Sequence, residues 1–186
     1  MDKTPQILEA FRDFFHYGRK EHLRKAYIKL SSLSDSGSDP QSIDWDLEEF
    51  TFNRLFIGPM APLAPAVASV YLDPEGLIQG DVTAEIRTFY ESIGLRIDEI
   101  GSEPEDSLAY EFDACRHLLL LASKVPEAAE AYAAFIKEHI ALWVPEFSAR
   151  AMEHCQESVA VKDVLMLLSE WVENETGNTT QDKEKK

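Results

Sequence analysis

Cysteine is scarce in this chain: there are two in 186 residues, Cys115 and Cys155, and no CxxC pair. That argues against a disulfide scaffold and a thiolate zinc site, and leaves both thiols as small buried hydrophobes. Basic residues are also few. Lys and Arg total 18 against 34 Asp and Glu, a net charge of −16. So acidic a chain repels phosphate backbones, which excludes nucleic acid as an expected partner. The charge suits either colloidal solubility or a cationic partner. No apolar run reaches the roughly 20 residues of a membrane helix, so no stable membrane insertion is expected. The opening Met-Asp-Lys-Thr-Pro has no apolar leader core, and no Arg-Arg pair occurs anywhere. The expected location is cytoplasmic.

Signature chemistry is missing as well. None of the eight glycines falls in GxxxxGK[ST], and GxSxG, HExxH and EF-hand spacings are absent. A di-metal helical site needs paired Glu-x-x-His motifs. The residues three before each His are Asp13, Arg19, Ala114, Ile136 and Ala151, so only Asp13/His16 comes near. The Glu-His neighbours Glu21-His22, Glu138-His139 and Glu153-His154 point about 100° apart on a helix and chelate poorly. No catalytic residue, metal or cofactor is expected, and the chain does not read as an enzyme.

What is present is helix. Hydrophobic residues make up 45% of the chain and charged residues 28%, the balance of a globular domain. Apolar positions recur at three and four. They run through Ile7–Phe15 behind a Thr4-Pro5 start, Leu23–Leu33, Leu47–Phe56, Val82–Ile93 behind an Asp81 cap, Leu108–Ala122, Tyr132–Trp143 after Pro126, and Val164–Val172. Pro145 predicts a kink or a new start. Ser69–Leu72 is either a short strand or one helical turn, and Asp73-Pro74-Glu75-Gly76 is a turn. The expected class is all-α: one helical domain of about seven or eight helices in two lobes joined by a hinge. The lobes span residues 1–101 and 102–172, with a disordered tail over 173–186.

The acid is clustered. Residues 34–50 hold six acids (Asp35, Asp39, Asp44, Asp46, Glu48, Glu49), and residues 97–113 hold seven (Asp98, Glu99, Glu103, Glu105, Asp106, Glu111, Asp113), with no Lys or Arg in either. Helix capping explains such clusters, since Glu103, Glu105 and Asp106 suit a helix's first turn; a partner surface explains them equally well. Residues 55–77 mix the prolines Pro59, Pro62 and Pro65 with small and apolar residues. This is either a packed connection or a pre-ordered groove.

Three blocks then resemble a known family. Leu55-Phe56-x-Gly58-Pro59 with Ser69-Val70-Tyr71-Leu72-x-Pro74-Glu75-Gly76-Leu77, Glu103-Pro104-x-Asp106 with Leu108, and Phe135-x-x-x-His139-x-x-x-Trp143-x-Pro145-x-Phe147 occur in that order. Together they resemble the TorD/DmsD/NarJ redox-enzyme maturation chaperones, most nearly the TorD/DmsD branch. Ser107 stands where that family commonly has His, and Val67 where an aromatic is common, so neither an imidazole role nor a stacking role carries over. The resemblance implies a cytoplasmic all-helical chaperone. Its partner would be a molybdoenzyme precursor, held through its twin-arginine signal peptide and its body until the cofactor is inserted. Leu55, Phe56, Val67, Tyr71 and Leu72 would supply apolar contacts, and Glu103, Glu105 and Asp106 would meet the arginines. His139, Trp143 and Phe147 would either pack the C-terminal lobe on the hinge or touch the client. A homodimer by helix exchange is compatible with the pattern. An acidic helical adaptor for another folded protein is the alternative.

Overall fold

The computed structural model describes residues 3–76, 78–97 and 103–177. The helices are α1 (Thr4–His16), α2 (Lys20–Ser34), α3 (Trp45–Phe52), α4 (Ser69–Leu72), α5 (Asp81–Ser92), α6 (Leu108–Ala122), α7 (Glu127–Phe135), α8 (Ala141–His154) and α9 (Ala160–Thr176). Two π turns, Asn53–Ile57 and Ile136–Ile140, extend α3 and join α7 to α8. Among the described residues there is no strand; Val67 and Ser107 form an isolated antiparallel bridge. The class is all-α, as the apolar spacing predicts.

One core holds the described residues together. α1 packs against α2 and α6, and α8 against α9. Phe11 of α1 stacks on Phe112 of α6 at 5.3 Å, and both meet Trp171 of α9. Phe14 and Phe15 continue the cluster to Phe52, Phe56 and Phe147. Both cysteines are free and buried, and burial raises both thiols above the ordinary range. They pack as expected and stay protonated.

Several boundaries differ from the expected ones. Lys3, not Thr4, stands at the start of α1, because a proline without an N–H is tolerated anywhere in the first turn. Gly80, not Asp81, holds the N-cap position of α5, and Asp81 is the first residue of the helix, where its charge meets the dipole. α9 runs on through Thr176, past the tail boundary placed at 173. Pro145 lies inside α8 without ending it. A π turn immediately precedes that helix, closed by the N–H of Ala141 on Ile136 O, and such a turn absorbs a local break in the α ladder. The lobe boundary at 101/102, Asp98, Glu99 and Leu77 lie outside the described residues, as do residues 178–186.

Three of the six acids in the first cluster work as internal caps. Asp44 accepts the N–H groups of Asp46 and Leu47 at the head of α3. Glu49 accepts the N–H of Lys20 at the head of α2. Glu48 is buried and reaches across to the head of α9, accepting the Ser158 hydroxyl and the N–H groups of Val159 (2.7 Å) and Val161 (3.0 Å). Each carboxylate thus meets orphan helix donors and the positive end of a dipole.

The π turn after α3 ends at Gly58, whose N–H bonds Asn53 O at 2.7 Å. Gly58 has φ +109°, and a Cβ there would stand 2.5 Å from Met60 O. Gly58→Ala is therefore strained in both backbone and packing. We expect a loss of about 1–3 kcal/mol of unfolding free energy, measured by urea titration.

Candidate functional site

Beyond Gly58 the proline-rich connector folds back on the π turn. The N–H groups of Leu63 and Ala64 bond Arg54 O and Leu55 O. Residues 66–68 then run antiparallel to residues 106–108. Leu108 N donates to Ala66 O at 3.0 Å, and Ala68 N to Asp106 O at 2.9 Å. The connector and the Glu-Pro-Glu-Asp turn are thus direct neighbours, joined along a seam.

Asp106 sits inside that seam, fully buried. Its Oδ2 accepts the N–H of Ser69 at 2.7 Å, and its Oδ1 the hydroxyl of Thr83 at 2.8 Å. It pins α4, α5 and the turn together, so it is not an exposed rim carboxylate. The expectation that Glu103, Glu105 and Asp106 lie in a helix's first turn also fails: they precede α6, which starts only at Leu108. A tight turn closed by the Ser107 N–H on Pro104 O at 3.0 Å holds them, and the seam keeps Ser107 extended at ψ 143° just before the helix.

The three acids therefore have different surroundings. Glu103 is part-exposed, with Oε2 3.5 Å from Nδ1 of His16. Glu105 is buried and bound by Arg87. Beside it lies a hollow of about 180 Å³ lined by Arg87, Tyr90, Glu91, Leu95, Arg96, Ile97 and Glu105. Its apolar wall is Tyr90, Leu95 and Ile97, and its charged groups are the carboxylates of Glu91 and Glu105 and the guanidiniums of Arg87 and Arg96.

A second cluster lies deeper. Glu111 of α6 is fully buried, with Oε1 2.6 Å from Nε2 of His139, while Oε2 accepts the indole N–H of Trp143 at 3.2 Å. Burial raises the Glu111 carboxyl above its usual range, and its two partners only partly offset this. Burial presses His139 toward the neutral form, but the charge and hydrogen bond of Glu111 prevail, so its pKa is raised. Tyr71 stacks on Trp143 at 5.6 Å, and Phe147 packs against both. Burial pushes the Tyr71 hydroxyl up to about 12. Trp143 and Phe147 are thus core residues, and His139 is held among them by Glu111.

The remaining apolar candidates are mostly inward too. Leu55 is fully buried, Phe56 and Val67 nearly so, and Leu72 is half-buried against the core. They build the wall behind the connector. The exposed apolar groups of this region are Phe50, Ile57 and Met60, the last 82% exposed. Phe50, one of the apolar positions between Leu47 and Phe56, faces outward. Arg87, Tyr90, Leu95 and Ile97 line the hollow without belonging to any of the three signature blocks. Leu95 and Ile97 alternate along the connector after α5, the one local hint; nothing in the sequence pairs Arg87 with Glu105.

Asp13 is bound by Arg12, and His16 faces Glu103, so that pair does not converge on a common point. Among the described residues no three His, Cys, Asp or Glu converge as a metal site, and no helix is long and apolar enough to cross a membrane.

A family model described as the nitrate reductase delta subunit matches residues 19–149, and the chain belongs to that family. The chaperone protein TorD of Vibrio cholerae El Tor Inaba N16961 is 31% identical over 139 residues, covering 72% of this chain and 59% of that protein. The Tat proofreading chaperone DmsD of Salmonella typhi is 33% identical over 105 residues, covering 55% of this chain and 48% of DmsD. The chain spans about half the length of several of the curated relatives it matches. In fold it is similar to a solved structure described as a candidate redox enzyme maturation protein from Archaeoglobus fulgidus. The TM-score is 0.65 at 17% identity, covering 93% of this chain and 96% of that one. The relatives carry the names of chaperones, not of catalysts.

Two outcomes follow from the geometry. Asp106→Ala strands the Ser69 N–H and the Thr83 hydroxyl in the interior and should cost about 2–4 kcal/mol, read by urea unfolding. Glu111 and His139 both have raised pKa values in the fold, so the native state binds more protons than the unfolded chain as each titrates. Stability contributed by the pair is full below the unfolded values near 4.5 and 6.5. It falls as pH rises through the folded values. The double variant Glu111→Gln/His139→Gln should flatten the pH dependence of unfolding free energy above pH ~5; an unchanged slope would refute the assignment.

Proposed function

We propose that this chain is a redox-enzyme maturation chaperone that binds the twin-arginine leader, and the body, of a molybdenum-cofactor oxidoreductase precursor in the cytoplasm. It retains that client until the cofactor is in place. Family membership and the chaperone names of the relatives support the class. The observation that carries the site is the hollow in which Leu95 and Ile97 lie beside the buried Glu105 carboxylate and Glu91, with Arg87 and Arg96 at its wall, at the turn that closes on the proline-rich connector.

A twin-arginine leader offers cationic side chains and an apolar run. The hollow, at about 180 Å³, takes a side-chain head group and not the whole run. The apolar run then lies along surface that is open, and Ile57 and Met60 at the start of the connector supply it. Covering one large apolar side chain is worth about 1.5–3 kcal/mol; an exposed arginine–carboxylate pair gives about 0.2–1 kcal/mol. Apolar contact therefore sets affinity, and the carboxylates set partner choice and encounter rate.

Calorimetry with three peptides tests this: an Arg-Arg leader, its Lys-Lys variant, and an Arg-Arg leader whose apolar run is replaced by serine. The intact leader should bind at micromolar Kd or tighter, roughly −8 kcal/mol, and either change should weaken it. Binding indifferent to both changes would sink the leader assignment and favour an adaptor for folded proteins. Ile57→Glu/Met60→Glu should weaken leader binding by about tenfold or more. Both side chains are exposed, so the melting temperature should hold.

A further inference from the structure

Glu105 binds one guanidinium in an unusual way. Nε and Nη2 of Arg87 both donate to its Oε1, at 3.0 and 2.7 Å, and among the described residues nothing donates to Oε2. The side chain of Glu105 is 2% exposed and that of Arg87 is 46% exposed. The carboxylate is thus a fixed part of the wall, and its cation reaches in from the solvent side. Both line the hollow with Tyr90, Leu95 and Ile97. Tyr90 is itself 2% exposed, and its hydroxyl has no hydrogen-bond partner among the described residues. The recess therefore holds polar capacity that the fold leaves unused, the second oxygen of the Glu105 carboxylate, while the Tyr90 hydroxyl faces the core beside Glu111 and Cys115.

Asp106 and Glu48 are as deeply buried and are satisfied by backbone N–H groups and hydroxyls; among the described residues Glu105 has no such donor, so the guanidinium alone balances its charge, and leaving that charge unpaired is strongly unfavourable. A planar forked cation suits it better than an ammonium, whose charge is compact and more tightly hydrated. We infer that Arg87 is the resident occupant of a guanidinium seat on Glu105, and that an arginine side chain delivered by a bound peptide competes with it for that seat. This rests on the leader assignment above and adds a mechanism to it. With no client bound, Arg87 keeps the carboxylate neutralised. When a client arrives, one guanidinium replaces another. That exchange is nearly even in free energy, so the seat selects for arginine without holding the peptide tightly, and Arg87 swings into water from a position already half outside.

The test uses the full chain and the variants R87A, R87K and E105Q. In R87A the seat is vacant. Its melting temperature should fall below wild type, and millimolar guanidinium chloride should restore part of the loss where equal sodium chloride does not. The Arg-Arg leader should bind R87A on the order of tenfold more tightly than wild type, with a smaller gain for the Lys-Lys variant. E105Q should abolish both the guanidinium recovery and the preference for arginine. Should R87A fail to fold, R87K retains a cation that fits the seat less well, and the Arg-Arg leader should still gain affinity.

Guanidinium that performs no better than sodium chloride, together with leader affinity unchanged or reduced in R87A and R87K, overturns the seat and leaves the leader assignment standing. Guanidinium recovery in R87A with no leader binding to any variant supports the seat and overturns the leader assignment.

Discussion

Asp106 is a buried carboxylate held by a backbone N–H and a hydroxyl, with no ion pair to a described residue. An interior charge satisfied only by neutral donors tolerates little movement, because each donor carries a large share of its solvation. Those donors come from α4 and α5, and the carboxylate comes from the turn that leads into α6. Once they are joined, Ala66 and Ala68 lie against residues 106–108, and the direction of α6 is set. Glu105, one residue away, is thereby held at the edge of the hollow, and Glu111, further along, enters the core where His139 and Trp143 meet it. The site and the interior behind it are organised by the same few bonds.

The net charge of −16 invites a picture of a uniformly negative surface, and the structure alters that picture. Glu48, Asp44 and Glu49 serve helix heads; Glu105 and Asp113 are bound by arginines; Asp163 accepts the Tyr27 hydroxyl and the Ser38 N–H. Many of the clustered acids are structural elements of the fold. What remains outside still steers cationic partners, since long-range attraction depends on total charge rather than on which carboxylates are paired.

The helices were readable from sequence because their signals are local. Apolar spacing in α1, α6 and α9, and the Asp44 cap, all act within a few residues. The connector and the Glu-Pro-x-Asp turn lie side by side in the structure, yet the hollow beside Glu105 is lined by α5 and the segment after it and by no residue of the proline-rich connector. What escaped was burial. Asp106 and Glu105 look alike in sequence, yet one is locked by neutral donors and the other faces a hollow, because partners at Thr83 and Arg87 come from a different helix. Leu55 and Phe56 looked like a binding face for the same reason. An apolar side chain in a signature motif reads alike whether it meets a client or the core, and the π turn that points both inward breaks the period-3.6 pattern used to assign faces.

The reach of Glu48 bears on how this chain matures. It stabilises the head of α9 from more than a hundred positions upstream, so on a ribosome that carboxylate remains in water until nearly all described residues have emerged. The guanidinium of Arg12 on Asp113 and that of Arg54 on the His154 carbonyl span similar separations. Closing loops of that size is slow compared with forming single helices. The early helices can therefore form during synthesis, but the native arrangement is sealed late and nearly all at once. The chain's own folding is thus completed only after the segment that meets Glu48 has left the ribosome.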